Sequence, residues 1–374
     1  MIPKRHAFLV PRTRSSRTVW ASLIAKFGFK RGTGIIELLV VLRFRSSHLN
    51  VPRVLANFGI GPLVAIALGF PNAAQALDTI TAGAVGSAST TIWPVYIGIR
   101  QGFFAEAGLK VEPVFAQSST AIAQQVAAGS VHMTVGSGLV DPIRAIEKGA
   151  PIVLWRIDMQ APPYALLAKP SIKRIQELKG KTIIIGGAKD ITRIFVERML
   201  TPNGIAPAEV DYVFAGATSA RLSALQSGAV DAALLTSPHN FYAEANGFSN
   251  LGWTIDYAKE LPFSGGAVNR AWAADNKQTL DKFLPAYTRS VAWFRNVENR
   301  EGAVNIMVEV SKLNQREVEK SYDFLQQKNF YEPTGKLSKA KLGKLVEALR
   351  ELGDLPASFT VERLLMPGVA ELME

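Results

Sequence analysis

The chain has 374 residues, no cysteine, and 42 Lys+Arg against 31 Asp+Glu, a formal charge of +11. The excess is local: residues 1–77 hold eleven basic residues and one acid, Glu37, which leaves 31 basic and 30 acidic residues downstream. A near-neutral main body offers no basic face for nucleic acid, and the lack of cysteine excludes disulfides, thiol nucleophiles and cysteine-held metals or clusters.

Residues 58–70 form an apolar run that breaks at Pro71-Asn72 and is followed by Ala74-Gln75-Ala76. That is the layout of a secretory h-region with a small-x-small cleavage site. Residues 1–76 are therefore expected to be a leader containing a signal peptide, cleaved near Ala76, with the working protein starting at Leu77. The run is too short for a spanning helix, which wants about 20 apolar residues. It also begins late for a signal peptide, which points to a translation start downstream of Met1.

Beyond the leader, hydrophobic periodicity alternates between strand and helix. Residues 78–85 read as a strand, 86–91 as a small-residue loop, 93–101 as a short helix and 109–116 as a second strand. Residues 118–128 read as a helix with serine at its start and Gly129 at its end, as capping rules require. A strand at 131–135, a helix at 141–148 and a strand at 152–157 follow. The stretch 161–171, with Pro162, Pro163 and Pro170, reads as a link.

A similar series then repeats: a short helix at 175–179, strands at 181–185, 210–215 and 231–235, and helices at 190–200 and 219–226. Strand–helix–strand units with short links predict mainly parallel sheets flanked by helices. A weak internal repeat relates 121–142 to 220–238, each a helix, a glycine turn (Gly129, Gly228), a strand and a serine-bearing loop. The last part predicts a strand within 262–273 and helices at 277–296, 300–310, 315–327 and 338–352, read as a helical cover on the first unit.

Four segments resemble, in order and spacing, the solute-binding proteins of nitrate/sulfonate/taurine ABC importers. They are PVYIGIRQGFFAEAGLKVEPVF (94–115), STAIAQQVAAGSVHMTVGS, ELKGKTIIIG (177–186) and SALQSGAVDAALLTSP, and the resemblance covers roughly 78–300. It implies a type II periplasmic-binding-protein fold: two α/β lobes with a hinge and a cleft between them. The lobes would be 77–165 plus 262–374, with the C-terminal helices, and 166–261. The implied function is capture of a small organic anion or zwitterion (sulfonate, taurine or nitrate-like, or an aromatic carboxylate) in the periplasm. The captured solute would pass to an inner-membrane permease with its ATPase. A monomer is expected, with no cofactor, metal, nucleic-acid partner or catalytic residue. The alternative is an enzyme on the same fold, of the pyrimidine- or menaquinone-precursor type. A sensory domain feeding a membrane kinase would need a further domain.

Open α/β sheets take ligands outside the carboxyl ends of their strands, where helix N-termini offer free N–H groups. The resemblance carries ligand contact onto such loops here: Ser87, Thr90 and Trp93; Ser118 and Ser119; Ser137; Asp190, Thr192 and Arg193; Thr218; and Ser237. Ser118 or Ser119 would equally serve as a helix cap, as would Asp190 for the 191–200 helix. Arg193 and Arg221 could hold an anion bidentately, although an arginine in a first helical turn is commonly solvated. Trp93 and Tyr164 could wall an aromatic solute. Trp155 and His132 read as core, and His239 stands nearer the expected cleft. Arg144 lies mid-helix and Arg156 in a strand, so no anion-clamping arginine stands out in the first lobe. Walker, GxGxxG, HExxH and Gly-x-Ser-x-Gly patterns are absent.

Overall fold

The computed structural model describes residues 77–370 and 372–373. The expected leader 1–76, its apolar run 58–70 and the cleavage site at Ala76 lie outside the described residues. Among the described residues no helix is long and apolar enough to cross a membrane.

The chain builds the first lobe from β1 (Asp78–Val85), α1 (Trp93–Arg100), α2 (Phe103–Glu106), β2 (Leu109–Ala116), α3 (Ser119–Ala127), β3 (Met133–Thr134), β4 (Ser137–Gly138), α4 (Val140–Glu147) and β5 (Ile152–Met159). It crosses to the second lobe with β6 (Tyr164–Ala168), β7 (Thr182–Ile185), α5 (Ile191–Leu200), β8 (Asp211–Phe214), α6 (Thr218–Gln226), β9 (Ala232–Thr236), α7 (His239–Ala245), β10 (Ser249–Trp253) and α8 (Ile255–Ala258). It then returns as β11 (Ser264–Asn269), α9 (Arg270–Asp275), α10 (Lys277–Arg295), α11 (Arg300–Ser311), α12 (Gln315–Lys328), β12 (Leu337–Ser338), α13 (Lys339–Glu351) and β13 (Leu372–Met373).

The first sheet runs β2-β1-β3-β11-β4, with β5 on β11, and the second runs β10-β6-β9-β7-β8. Within each sheet the early strands are parallel, β1 with β2 and β3, and β7 with β8 and β9. The strands next to the two crossings run against them: β11 is antiparallel to β3, β4 and β5, and β6 to β9 and β10. Each sheet is thus mixed rather than mainly parallel.

β1 and β2 keep the bounds that their sequence pattern predicts, whereas the strand expected at 131–135 pairs only over Met133–Thr134. The expected link 161–171 contains β6, a fully buried YALLA segment. Pro162 and Pro163 stop before this strand and Pro170 follows it, so no ladder N–H is lost. β10 escaped the sequence pattern because Asn250 and Gly252 weaken its strand character, and a bulge between Asn250 and Trp253 breaks its register.

The two crossings are bonded to each other. The Thr254 N–H donates to the Tyr164 carbonyl at 2.9 Å, and the Thr254 hydroxyl, 2.9 Å from the Pro162 carbonyl, takes the Tyr164 N–H at 3.1 Å. The Phe263 N–H donates to the Met159 carbonyl at 3.0 Å. This paired crossing is the hinge.

The C-terminal helices do more than cover the first lobe. α10 and α11 clasp the buried Trp93, which packs edge-on to Phe294 at 5.1 Å and donates its indole N–H to the Ala303 carbonyl at 2.9 Å. α12, however, sets Phe324 against Trp253 of β10 at 4.2 Å and against Phe241 of α7 at 5.9 Å. Amphipathic spacing predicts a buried face but not which lobe receives it, and this one reaches the second.

An ion pair, Arg156–Asp158, lies fully buried in the first lobe. The guanidinium sits 4.5 Å from the Tyr287 ring centre and 5.0 Å from that of Trp155. Asp158 also takes the Gly136 N–H at 2.7 Å. Burial pushes the Asp158 carboxyl up, and the Arg156 charge and the Gly136 N–H hold it back. Removing one partner strands the other charge. Asp158→Ala should therefore cost about 3–5 kcal/mol in denaturant unfolding, and Asp158→Leu with Arg156→Met should recover much of that loss. An Asp158→Ala variant as stable as the native chain would contradict this account.

Candidate functional site

The carboxyl ends of both sheets face one cavity of about 40 Å³. Its walls come from loops after β1 and β3, the start of α3, and the loops that open α5 and α6, with Tyr164 and Phe263 at the hinge. Each polar loop forms for a local reason. The Ser89 hydroxyl takes the Thr91 N–H at 3.2 Å and fixes the turn after β1. Asp190 caps α5 by accepting the Thr192 N–H at 2.9 Å, and Thr192 in turn takes the Gly186 N–H at 2.8 Å. Gly136 has φ +58°, and a Cβ there would stand 2.7 Å from the Thr91 carbonyl oxygen, so the turn into β4 requires glycine.

Of the expected contacts, Ser119, Ser137, Asp190 and Thr218 line the cavity. Ser87, Thr90, Trp93, Ser118, Thr192, Arg193 and Ser237 do not. Trp93 is core, so the aromatic wall comes from Tyr164 and Phe263 instead. Ser118 spends its hydroxyl capping α3, at 3.2 Å from the Ala121 N–H. Arg193 pairs with Glu197 and lies 3.9 Å from the Tyr212 ring centre. The Ser87 carbonyl accepts from the Tyr96 hydroxyl at 2.7 Å. Thr90 and Ser237 are buried at the seam, where the Thr90 N–H donates to the Ser237 carbonyl at 3.3 Å. His132 is structural as read: its Nδ1 takes the Thr81 N–H at 3.2 Å and its ring stacks on Trp272 at 4.8 Å. Trp155 is core, as its apolar strand predicts.

Arg221 overturns the expectation of a solvated side chain. It is 1 % exposed and lines the cavity. Its Nε donates to the Leu234 carbonyl at 2.7 Å, Nη1 to Ala215 and Gly216 at 2.8 and 2.7 Å, and Nη2 to the Thr218 hydroxyl at 2.8 Å. The carboxyl ends of β8 and β9 turn their carbonyls inward, and only a long planar donor reaches all of them. His239 is buried nearby, and burial together with the Arg221 charge takes its pKa down to about 4. The sequence offers Arg221 only alongside Arg193, because the carbonyls that hold Arg221 come from separate strands.

The acidic end of the cavity crosses the cleft. The Ser119 hydroxyl donates to Asp141 and lies 3.1 Å from Asp190, joining first-lobe and second-lobe carboxylates. Burial, with the nearby Asp190 charge, pushes Asp141 up; the Ser119 hydrogen bond and Arg144 oppose it. Arg144 also pairs with Asp354, which stands 3.7 Å from Lys189 of the second lobe. Among the described residues no group of three or more His, Asp or Glu could hold a metal.

A two-lobed α/β chain with a cavity at its seam has the periplasmic-binding-protein fold. The family model described as "NMT1/THI5 like" matches residues 89–298, and the chain belongs to that family. The alkanesulfonate-binding protein SsuA of Xanthomonas axonopodis pv. citri is similar at 17 % identity and TM-score 0.62, over 79 % of this chain and 96 % of that one. The aliphatic sulphonate-binding protein SsuA of Escherichia coli is similar at 17 % identity and TM-score 0.61, over 79 % and 94 %. The nitrate-binding protein NrtA of Synechocystis PCC 6803 is similar at 15 % identity and TM-score 0.65, over 77 % and 84 %. These identities carry the fold. No curated protein sequence matches the chain.

The lobes meet at Gly216, where a Cβ would stand 1.8 Å from the Gln117 carbonyl oxygen across the seam. Gly216→Ala should leave both lobes folded but hold them apart. Solution scattering should give a larger radius of gyration than that of the native chain under the same conditions, and an unchanged radius would contradict the seam described.

Proposed function

We propose that the chain is the periplasmic substrate-binding component of an ABC importer, capturing a small organic anion or zwitterion of the sulfonate, taurine or nitrate kind and delivering it to a permease with its ATPase. The observation that carries the reading is one cavity walled by strand ends and helix starts from both lobes. A solute held there contacts both lobes at once, so its binding free energy biases the open–closed equilibrium. Hydroxyls of Ser89, Thr91, Ser137 and Thr218 supply neutral donors, and Asp190 supplies an acceptor for an amine. The lobes are taken as 77–165 plus 262–374 and as 166–261, and the exported chain as a monomer cleaved near Ala76.

The cavity of about 40 Å³ favours a small head group over an aromatic carboxylate, since one water fills roughly 10–15 Å³ on this measure. Binding rather than catalysis is supported by the structural likeness to the solute-binding proteins named above.

A thermal-shift screen of the full chain against methanesulfonate, taurine, nitrate, benzoate and a pyrimidine tests this. A true ligand at 100 times its Kd should add about 2.7 kcal/mol and raise Tm by a few degrees, with the ligand recovered intact. Consumption of the ligand, or no shift with any of the five, would contradict the reading.

A further inference from the structure

The charge inside the cavity is unbalanced at one end. Arg221 is the cation among the lining residues and Asp190 the acid. The guanidinium is 1 % exposed, and all four of its bonds go to neutral groups: three carbonyls and the Thr218 hydroxyl. Among the described residues no carboxylate lies within ion-pair distance of it. His239, neutral through burial and the same guanidinium, supplies no counter-charge. Burial pushes the Tyr164 hydroxyl up and keeps it protonated; the Arg221 charge and a hydrogen bond from Arg221 oppose this, and Asp190 adds to it.

Carbonyls alone do not require a charged donor, and a buried cation without a partner is costly. In this same chain the buried Arg156 is neutralised by Asp158. Arg221 differs in facing a cavity rather than packed core. A guanidinium has five N–H donors; four are used as described, and a solute in the cavity would share the fifth with the Tyr164 hydroxyl. The Thr218 hydroxyl accepts from Arg221 and also lies 3.2 Å from the Thr236 hydroxyl.

We propose that Arg221 is the specificity-determining residue of the cavity: an uncompensated cation whose missing counter-charge is the anionic group of the solute. The inference rests on the binding-protein reading and deepens it. The anion sits against the Arg221 guanidinium with Thr218 and Tyr164 beside it, while the Asp190 end repels a second negative charge. The cavity therefore selects monoanions over their neutral isosteres through one side chain.

The test is calorimetric titration of the full chain with methanesulfonate and with methanesulfonamide, its neutral isostere of nearly the same shape. The native chain should bind the sulfonate about tenfold or more tightly than the sulfonamide. Arg221→Lys should keep a preference for the sulfonate, and Arg221→Gln should bring the ratio close to one. Where Arg221→Gln fails to fold, the native and Arg221→Lys ratios still decide. Equal binding of the two probes by the native chain, or a preference kept in Arg221→Gln, overturns the role of Arg221 alone. Binding of neither probe overturns the small-solute reading and this inference with it.

Discussion

The paired crossing between the sheets is what the rest of the molecule depends on. Thr254 and Phe263, either side of α8 on the returning crossing, bond to Tyr164 and Met159 at the two ends of the outgoing one. Because both crossings lie side by side, the carboxyl ends of the two sheets face each other rather than opposite solvents. The loops after β1 and β3 and those that open α3, α5 and α6 then meet at the same gap. Short hydrogen bonds at one edge thus give the lobes a common axis and leave the loops at the far edge free to meet.

The second theme is how differently the two lobes treat buried charge. The first lobe neutralises its buried arginine internally, and the same carboxylate that does so takes the Gly136 N–H. A core ion pair thereby holds a cavity loop. The second lobe surrounds its buried arginine with carbonyls and leaves the charge standing. Across the seam, Ser119 brings together two carboxylates, a contact that favours closure only while its hydroxyl proton and Arg144 offset their repulsion. The cavity is therefore polarised, cationic toward α6 and anionic toward α5.

Much of this was legible in the sequence. The alternation of period-two and helical segments gives the α/β class, and β1 and β2 fall on their predicted bounds because a one-face pattern and glycine or loop boundaries agree there. The hinge strand β6 was hidden by prolines that flank it instead of interrupting it. β10 was hidden by Asn and Gly at a sheet edge. For the site, the rule that ligands sit at strand ends points to loops from which Ser119, Ser137, Asp190 and Thr218 line the cavity. It could not rank residues within a loop. Trp93 and Ser118 are one or two positions from cavity-lining neighbours yet turn into core or cap, since a helix start points successive side chains in different directions. Arg221 could be offered as an anion holder but not told apart from Arg193, because its environment is assembled from β8, β9 and α6 and local spacing carries no record of it.

A crystal structure of the full chain grown with methanesulfonate tests the central claim most directly. The account predicts the sulfonate in the cavity between the lobes, with oxygens on Arg221 and Thr218 and the lobes closed around it. A sulfonate bound elsewhere on the surface, or an empty cavity at saturating concentration, would contradict it.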